Sequence, residues 1–136
     1  MTARTDDHMT IRQMCDAFEV TPRTLRFYEA KELISPLREG ARRLYTRRDR
    51  ARLKLILRGK RFGFSLEDIR QTLDLYDRQG TNLPQMEHTF ALACERLAIM
   101  EAQRAELDEA IAELKTELAA GATLIAEVKR GGTAAA

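Results

Sequence analysis

The sequence predicts a mainly α-helical protein with a compact helical head followed by one long helix. Over residues 10–78, apolar residues recur at helical spacing in short segments separated by capping and turn residues. Over residues 85–120, apolar residues are instead spaced alternately four and three apart, which is the heptad pattern of a coiled coil. The 136 residues therefore suit one small domain with an extension.

The first two helices are predicted from their N-terminal caps. Thr10 precedes the first helix, and Gln13 lies three residues later, which is the spacing of a capping box. The second helix follows Thr21, with Pro22 at its first position, where a missing N–H costs nothing. Few residues separate the two helices, so we expect a sharp turn between them. Phe27 of the second helix is expected in the core.

A β-hairpin and two more helices are predicted next. Residues 33–45 are too polar and interrupted for a helix, and Pro36 and Gly40 favour a hairpin. A third helix is expected over residues 46–61. A fourth begins at Ser65, with an acidic residue completing its capping box three positions later.

The long helix predicts a homodimer. Its seam consists of Met86, Phe90, Ala93, Leu97, Met100, Arg104, Leu107, Ile111, Leu114 and Leu118. Such a helix is about 50 Å long at 1.5 Å per residue. Because a small head cannot bury so long and narrow a seam, a second copy of the helix is the expected partner. The predicted interface residues are Phe90, Leu97, Met100, Arg104, Leu107, Ile111, Leu114 and Leu118.

The remaining segments are predicted as connections and ends. We expect a flexible N-terminus over residues 1–9 and a linker over residues 79–84. Gly121 is a plausible C-cap for the long helix, and residues 121–136 are then a short C-terminal segment with a flexible tail.

Charge is distributed unevenly along the chain. Residues 1–80 hold 18 Lys and Arg against 12 Asp and Glu, whereas residues 81–136 hold 5 against 9. Within residues 38–61 there are 11 basic residues against 2 acidic ones. A charge run is often just a solvated face, but so large a surplus favours a polyanionic partner. No membrane span, signal peptide or disulfide framework is predicted, so we expect a cytoplasmic protein.

Two motifs carry a family resemblance. The ten residues VTPRTLRFYE at 20–29, followed by Arg43-Leu-Tyr45, resemble the MerR family of bacterial transcription regulators. The resemblance implies a winged helix-turn-helix head and an antiparallel coiled coil between two long helices. It also implies that the homodimer binds double-stranded promoter DNA and distorts it so that RNA polymerase can engage both promoter elements.

The predicted DNA-binding residues follow from chemistry and from the resemblance together. Guanidinium groups can bind a guanine edge or a phosphate, and a tyrosine hydroxyl can donate to a phosphate. An alternative for Arg26 is a surface ion pair with Glu29. The resemblance implies DNA-backbone contacts at Arg26, Tyr28, Arg43 and Tyr45, and a second wing at Lys60 and Arg61. Arg23 and Thr24, on the first turn of the second helix, are our candidates for the base edges. The predicted set is Arg23, Thr24, Arg26, Tyr28, Arg42, Arg43, Tyr45, Lys60 and Arg61.

Two further predictions concern departures from the family. Relatives usually have glycine where this chain has Glu32, and glutamate adopts a left-handed conformation only at a cost of about 1 kcal/mol. Metal-sensing relatives use a cysteine at the start of the long helix and others beyond it. Here Cys94 lies well inside the helix, and Cys15 reads as a small buried residue. We therefore expect no metal site and no cofactor.

A narrower resemblance suggests a pathway. Arg38-Glu-Gly40, residues 57–66 (LRGKRFGFSL) and residues 100–104 (MEAQR) resemble the Liu-type branch of the family. That branch implies control of amino-acid and acyl-CoA catabolism, with an acyl-CoA-type effector. The main alternative is an architectural DNA-binding protein without an effector. An enzyme, and an interaction coiled coil that has lost DNA binding, are weaker alternatives, because no catalytic constellation is evident.

Overall fold

The computed structural model describes residues 7–77 and 83–135, with side chains up to residue 132. It confirms the mainly helical class. The elements are α1 Ile11–Phe18, α2 Pro22–Ala30, β1 Leu37–Glu39, β2 Arg42–Leu44, α3 Arg47–Phe62, α4 Leu66–Asp77 and α5 Leu83–Ala135. The chain divides into two compact units, which we call the head (Met1–Ala93) and the distal helix (Cys94–Ala136). None of the described helices is long and apolar enough to cross a membrane.

The predicted caps form at both helices of the helix-turn-helix. The Gln13 amide N–H donates to Thr10 Oγ1 at 3.2 Å, and Thr10 N–H donates to Gln13 Oε1 at 2.8 Å. Thr21 Oγ1 accepts from the Thr24 N–H at 3.1 Å, and Pro22 occupies the first turn of α2. Each cap satisfies a backbone donor that the helix itself leaves unpaired.

The predicted hairpin is a two-stranded antiparallel sheet, in which Leu37 pairs with Leu44 across the strands and Gly40 takes a positive φ of 63° at the turn. A further bridge joins Met9 to Tyr45 through backbone hydrogen bonds of 2.9 and 2.7 Å. The prediction of a flexible N-terminus is therefore wrong at Met9, which is held by the hairpin. Residues 1–6 lie outside the described part of the chain.

Capping boxes begin both α3 and α4, and the one at α4 is the box that the sequence predicts. At α3, the carboxylate of Asp49 accepts from the backbone N–H of Thr46 at 3.0 Å and from that of Ser35 at 2.9 Å. Asp49 is 1% exposed, and these hydrogen bonds offset the cost of burying a carboxylate. At α4, Asp68 N–H donates to Ser65 Oγ at 3.1 Å. The cap of α3 thus also fixes the start of the hairpin.

The head encloses one apolar core, contributed by α1 to α4 and the segments around the hairpin. Its buried residues include Met14, Leu25, Tyr28, Leu33, Ile34, Tyr45, Leu53, Ile56, Ile69 and Leu73. The prediction that Phe27 belongs to this core is wrong, because its side chain is 45% exposed. Leu25 and Tyr28 already occupy the inward face of α2, so Phe27 faces outward.

The long helix extends beyond its predicted limits at both ends. It begins at Leu83, so residues 83–84 are helix rather than linker, while residues 79–82 lie outside the described part of the chain. Its C-terminal end is at Ala135, so Gly121 lies within the helix and the expected tail is helical. The physical reason is composition: three alanines flank Gly121 and no proline follows it, so one glycine costing about 1 kcal/mol does not end the helix.

Candidate nucleic-acid interface

The exposed surface of α2 carries two of the predicted DNA-binding cations. Arg23 and Arg26 are both exposed. Thr24 is half-buried, and its hydroxyl oxygen lies 3.0 Å from Thr21 Oγ1, so its hydroxyl is engaged in the cap. Near the end of the helix, the Lys31 ammonium lies 5.6 Å from the centre of the Phe27 ring. The exposed side of α2 is therefore cationic, with one aromatic ring in its midst.

A single carboxylate joins α2 to the hairpin. Arg43 on β2 donates its Nε–H to Glu29 Oε1 at 2.7 Å, and Arg38 on β1 donates to Glu29 Oε2 at 2.5 Å. Arg43 and Glu29 are 24% and 20% exposed, so the pair is only partly hydrated. The alternative pairing of Arg26 with Glu29 is not formed, because Glu29 is occupied by the two hairpin arginines. We call this arrangement the Glu29 clamp.

The clamp stays charged at neutral pH. Partial burial acts to raise the pKa of Glu29, but hydrogen bonds and charge from Arg43 and Arg38 outweigh it and hold the pKa below its ordinary value. The hydrogen bond to Glu29 correspondingly raises the pKa of Arg43. The hairpin is thus held beside α2 by a charge-assisted contact.

The two tyrosines predicted to contact DNA are both largely buried, and their contact with DNA stays a prediction. Tyr28 is 5% exposed and Tyr45 is fully buried, so both side chains belong to the core. The Tyr45 hydroxyl is buried, with no hydrogen-bond partner among the described residues. Burial raises the pKa of both phenols. In this conformation the Tyr45 hydroxyl does not face a surface that DNA could reach. The sequence does not predict this burial, because the polar hydroxyl of a tyrosine does not reveal how deeply its ring packs.

The remaining predicted cations lie on the hairpin tip and at the end of α3. Arg42 is 63% exposed and 3.7 Å from Glu39, which is also exposed, so this ion pair is weak. Lys60 and Arg61 are exposed in the last turn of α3, just before Gly63, which ends the helix with a φ of 88°. The Glu29 clamp brings the hairpin and α2 together.

The basic surplus over residues 38–61 is smaller in the fold than in the sequence. Arg48 and Arg52 both donate to Asp77 at 2.7 Å, and Arg47 lies 3.2 Å from Asp7. These carboxylates, like Glu29, come from outside the basic stretch. A count of charges within residues 38–61 therefore could not reveal these ion pairs. Arg52 is also 5% exposed and is therefore structural.

Glu32, at the position where the family resemblance implies glycine, adopts the left-handed conformation. Its φ is 60°. Leu33 N–H donates to the Tyr28 carbonyl and Glu32 N–H to the Glu29 carbonyl, each at 2.9 Å. These two bonds form the usual helix-ending motif, with glutamate at the position that glycine favours. The end of α2 is thus kept despite the substitution.

Comparisons with known proteins agree with this architecture. The family described as MerR HTH family regulatory protein matches residues 9–87. The HTH-type transcriptional regulator ZntR of Escherichia coli (strain K12) is 37% identical over 99 residues, which cover 71% of this chain and 69% of ZntR.

Two solved structures have a similar fold. HiNmlR, a MerR family regulator lacking the sensor domain and bound to promoter DNA, matches with a TM-score of 0.62 and 24% identity over 76% of this chain and 78% of its own. The HTH-type transcriptional regulator SkgA from Caulobacter crescentus matches with a TM-score of 0.51 and 29% identity, over 82% of this chain and 77% of its own. With the family match extending over more than half of the sequence, the chain belongs to the MerR HTH family of DNA-binding transcription regulators.

Proposed function

We propose that this protein is a homodimeric transcription regulator that binds a palindromic promoter site through the surface formed by α2 and the hairpin. The observation that carries the proposal is the Glu29 clamp, because it fixes the hairpin beside α2 while Arg23, Arg26 and Arg42 remain exposed. A helix in the major groove with a basic hairpin on the adjacent phosphates is a recurrent way of reading duplex DNA. HiNmlR, which has the same fold, is bound to promoter DNA.

Within this surface, we assign different roles to the exposed cations and to the half-buried Thr24. Arg23 and Thr24 lie on the first turn of α2 and are assigned to the base edges. Arg26 on α2 and Arg42 at the hairpin tip are assigned to phosphates, and Lys60 and Arg61 to a second wing. The guanidinium groups suit either target, because a bidentate fork fits both guanine and phosphate.

Arg43 is assigned a positioning role. Its Nε–H is held by Glu29 and its side chain is only 24% exposed. Arg43 therefore contributes to DNA binding mainly by holding the hairpin at a fixed angle to α2. This assignment differs from the backbone contact that the family resemblance implies for Arg43.

The regulatory mechanism we propose is promoter distortion. Two heads joined by an antiparallel coiled coil bind the two half-sites and bend and untwist the spacer between promoter elements, which lets RNA polymerase engage both. Deforming DNA in this way costs several kcal/mol, and phosphate contacts from both heads must offset that cost. The narrower part of the proposal is an acyl-CoA-type effector and control of amino-acid or acyl-CoA catabolism. It rests on the residues that resemble the Liu-type branch.

The salt dependence of DNA binding tests the phosphate assignments. Arg26→Ala and Arg42→Ala should each weaken binding to all sequences alike and lower the slope of log K against log salt by about 0.9. The matched control is Lys115→Ala, which removes the same charge from the distal helix and should leave the slope unchanged. A changed operator preference with an unchanged slope would contradict the assignment.

Glu29→Gln separates a positioning role of Arg43 from direct phosphate contact. If the clamp positions the hairpin, Glu29→Gln and Arg43→Ala should both weaken operator binding. If Arg43 only contacts a phosphate, Glu29→Gln frees it, removes a negative charge and should tighten binding.

Footprinting separates the regulator from its main alternative. Protection of a few palindromic promoter sites, changed by an acyl-CoA ester, supports the full proposal. Protection without sequence preference would favour the architectural alternative. Site-specific protection that no acyl-CoA ester alters would contradict only the proposed acyl-CoA-type effector and would still support a sequence-specific regulator.

A further inference from the structure

We propose that Phe27 is a specificity-determining residue, whose ring contacts the C5 methyl group of a thymine in the major groove of each operator half-site. The contact rests on the function proposed above, because it requires α2 to lie in the groove, and it adds a base that the protein selects. It is carried by an exposed apolar ring on a helix face that otherwise presents cations.

Phe27 lies on the outward face of α2. Among the nine residues of this helix, all of which the structure describes, the buried ones are Leu25 and Tyr28. Phe27 is 45% exposed, and it follows Arg23 along one line because residues four apart lie one above the other on a helix. A single exposed apolar side chain is ordinary on a protein surface. This one differs because it lies within the surface that the proposed complex buries.

The surroundings of the ring are cationic. Arg23 and Arg26 are exposed on the same helix, and the Lys31 ammonium lies over the ring at 5.6 Å from its centre. A surface with this charge attracts a polyanion and is poorly matched to an apolar protein surface. The neighbours of Phe27 therefore bring its ring to duplex DNA.

The chemistry of the major groove then selects the base. The edges of guanine, cytosine and adenine present hydrogen-bond donors and acceptors there, whereas thymine also presents an apolar methyl group. A phenyl ring placed on a polar edge would remove water without replacing its hydrogen bonds. Against a thymine methyl group the same ring buries apolar surface, which is favourable. Phe27 therefore favours thymine over the other three bases at one position of each half-site.

The geometry of α2 limits where that thymine lies. Phe27 is four residues beyond Arg23, which is about 6 Å along the helix axis at 1.5 Å per residue. Stacked base pairs are about 3.4 Å apart. For a helix lying along the groove, the thymine is therefore within about two base pairs of the base that Arg23 contacts. Ala30, which is also exposed, adds no long side chain that would hold α2 away from the bases.

A different role for the ring would be to hold Lys31. A cation is attracted to an aromatic face, so the ring would then place the ammonium against a phosphate. The two roles differ in what they read. A ring that only holds Lys31 strengthens binding to all sequences alike, whereas a ring on a methyl group makes binding depend on one base.

Replacing thymine by deoxyuridine tests the contact, because it removes only the C5 methyl group and keeps the base pairing. The probe is a palindromic duplex that the protein selects from a random library, with each symmetric pair of thymines replaced in turn. At one position the affinity of the parent protein should fall roughly tenfold or more, since about fourfold is lost in each half-site. Fluorescence anisotropy of labelled DNA measures the affinity, and this step needs no protein variant.

Protein variants assign the effect to Phe27. Phe27→Ala should bind the thymine and deoxyuridine duplexes equally at that position, and Phe27→Leu should keep part of the difference because leucine is still apolar. Arg26→Ala is the matched control on the same helix. It should bind both duplexes more weakly, as expected for a lost phosphate contact, and keep the full difference between them. Thermal unfolding of each variant shows that the head stays folded.

The outcomes separate the contact from the function on which it rests. A selected duplex in which no thymine methyl group affects affinity overturns the contact, and so does a Phe27→Ala variant that keeps the full sensitivity. If Phe27→Ala and Lys31→Ala both lower the salt slope and neither changes the preference for thymine, the ring only holds Lys31 and the contact is wrong. If the parent protein selects no sequence and binds all duplexes alike, the proposed sequence-specific regulator is itself overturned.

Discussion

Leucines of the head and of the distal helix differ sharply in their surroundings. Leu25, Leu53 and Leu73 are fully buried, whereas Leu107 and Leu118 are 61% and 64% exposed. In the head, short capped helices fold back on one another and enclose their own apolar faces. The distal helix has no second element of its own unit to pack against. The same residue type therefore stabilises the fold in one region, and in the other it forms the exposed surface through which we propose that the protein dimerises.

Two helical glycines show the same contrast. A Cβ at Gly59 in α3 would lie 2.7 Å from Cγ1 of Ile69 in α4, so glycine is required there for the two helices to approach. At Gly121 the corresponding Cβ would meet nothing within its own chain. Glycine at position 59 is therefore required by the head's own packing, whereas the fold of the single chain does not require glycine at position 121.

The largest effect is expected from breaking the apolar seam. Leu107→Asp with Ile111→Asp should yield monomers, because two charges per chain would lie in the middle of the interface. Affinity for an operator with two half-sites should fall by roughly 10²-fold or more, since the heads no longer bind together. Sedimentation measures the first effect and fluorescence anisotropy with labelled DNA the second.

The head should be unaffected by that double substitution. Its thermal unfolding, followed by near-UV circular dichroism of its tyrosines, should occur at the same temperature as in the parent. A double variant that still sediments as a dimer would show that the seam is not the interface. A head that unfolds earlier would show that its stability depends on residues of the distal helix.

A smaller effect is expected from Gly59→Ala. Alanine favours a helix by up to about 1 kcal/mol over glycine, yet here its methyl group would overlap Ile69, whose β-branched side chain has little freedom to move. We expect the free energy of unfolding of the head to fall by about 1–3 kcal/mol, measured by urea denaturation.

The matched control for Gly59→Ala is Gly121→Ala in the monomeric background. Because the alanine methyl group at position 121 would contact no other side chain in the monomer, the substitution should raise the helix content and leave the unfolding of the head unchanged. If both alanines act alike, the contrast between the two glycines is wrong.

Caps, periodicity and turn residues predicted much of the head because they are local signals. Thr10, Thr21, Thr46 and Ser65 each begin the helix that the sequence predicts. Contacts between elements were not predictable in the same way. The joining of Glu29 to Arg43 across 14 residues depends on how α2 meets the hairpin. The predicted end of α5 at Gly121 is wrong, because glycine is typical of a helix cap but the neighbouring alanines favour continued helix.

The smallest effect, and the sharpest test of the head's interior, is expected from Tyr45→Phe. The hydroxyl is buried without a partner among the described residues, so removing it should leave stability unchanged or raise it by up to about 1 kcal/mol. Operator affinity should also stay unchanged, because the group does not face the proposed DNA surface. Tyr76→Phe, at an exposed phenol of α4, controls for loss of a hydroxyl in general. A stable Tyr45→Phe protein that binds its operator several-fold more weakly would mean that the hydroxyl reaches a phosphate in the complex. The hairpin would then have to move from its place beside α2 when DNA binds, and the Glu29 clamp would have to open with it.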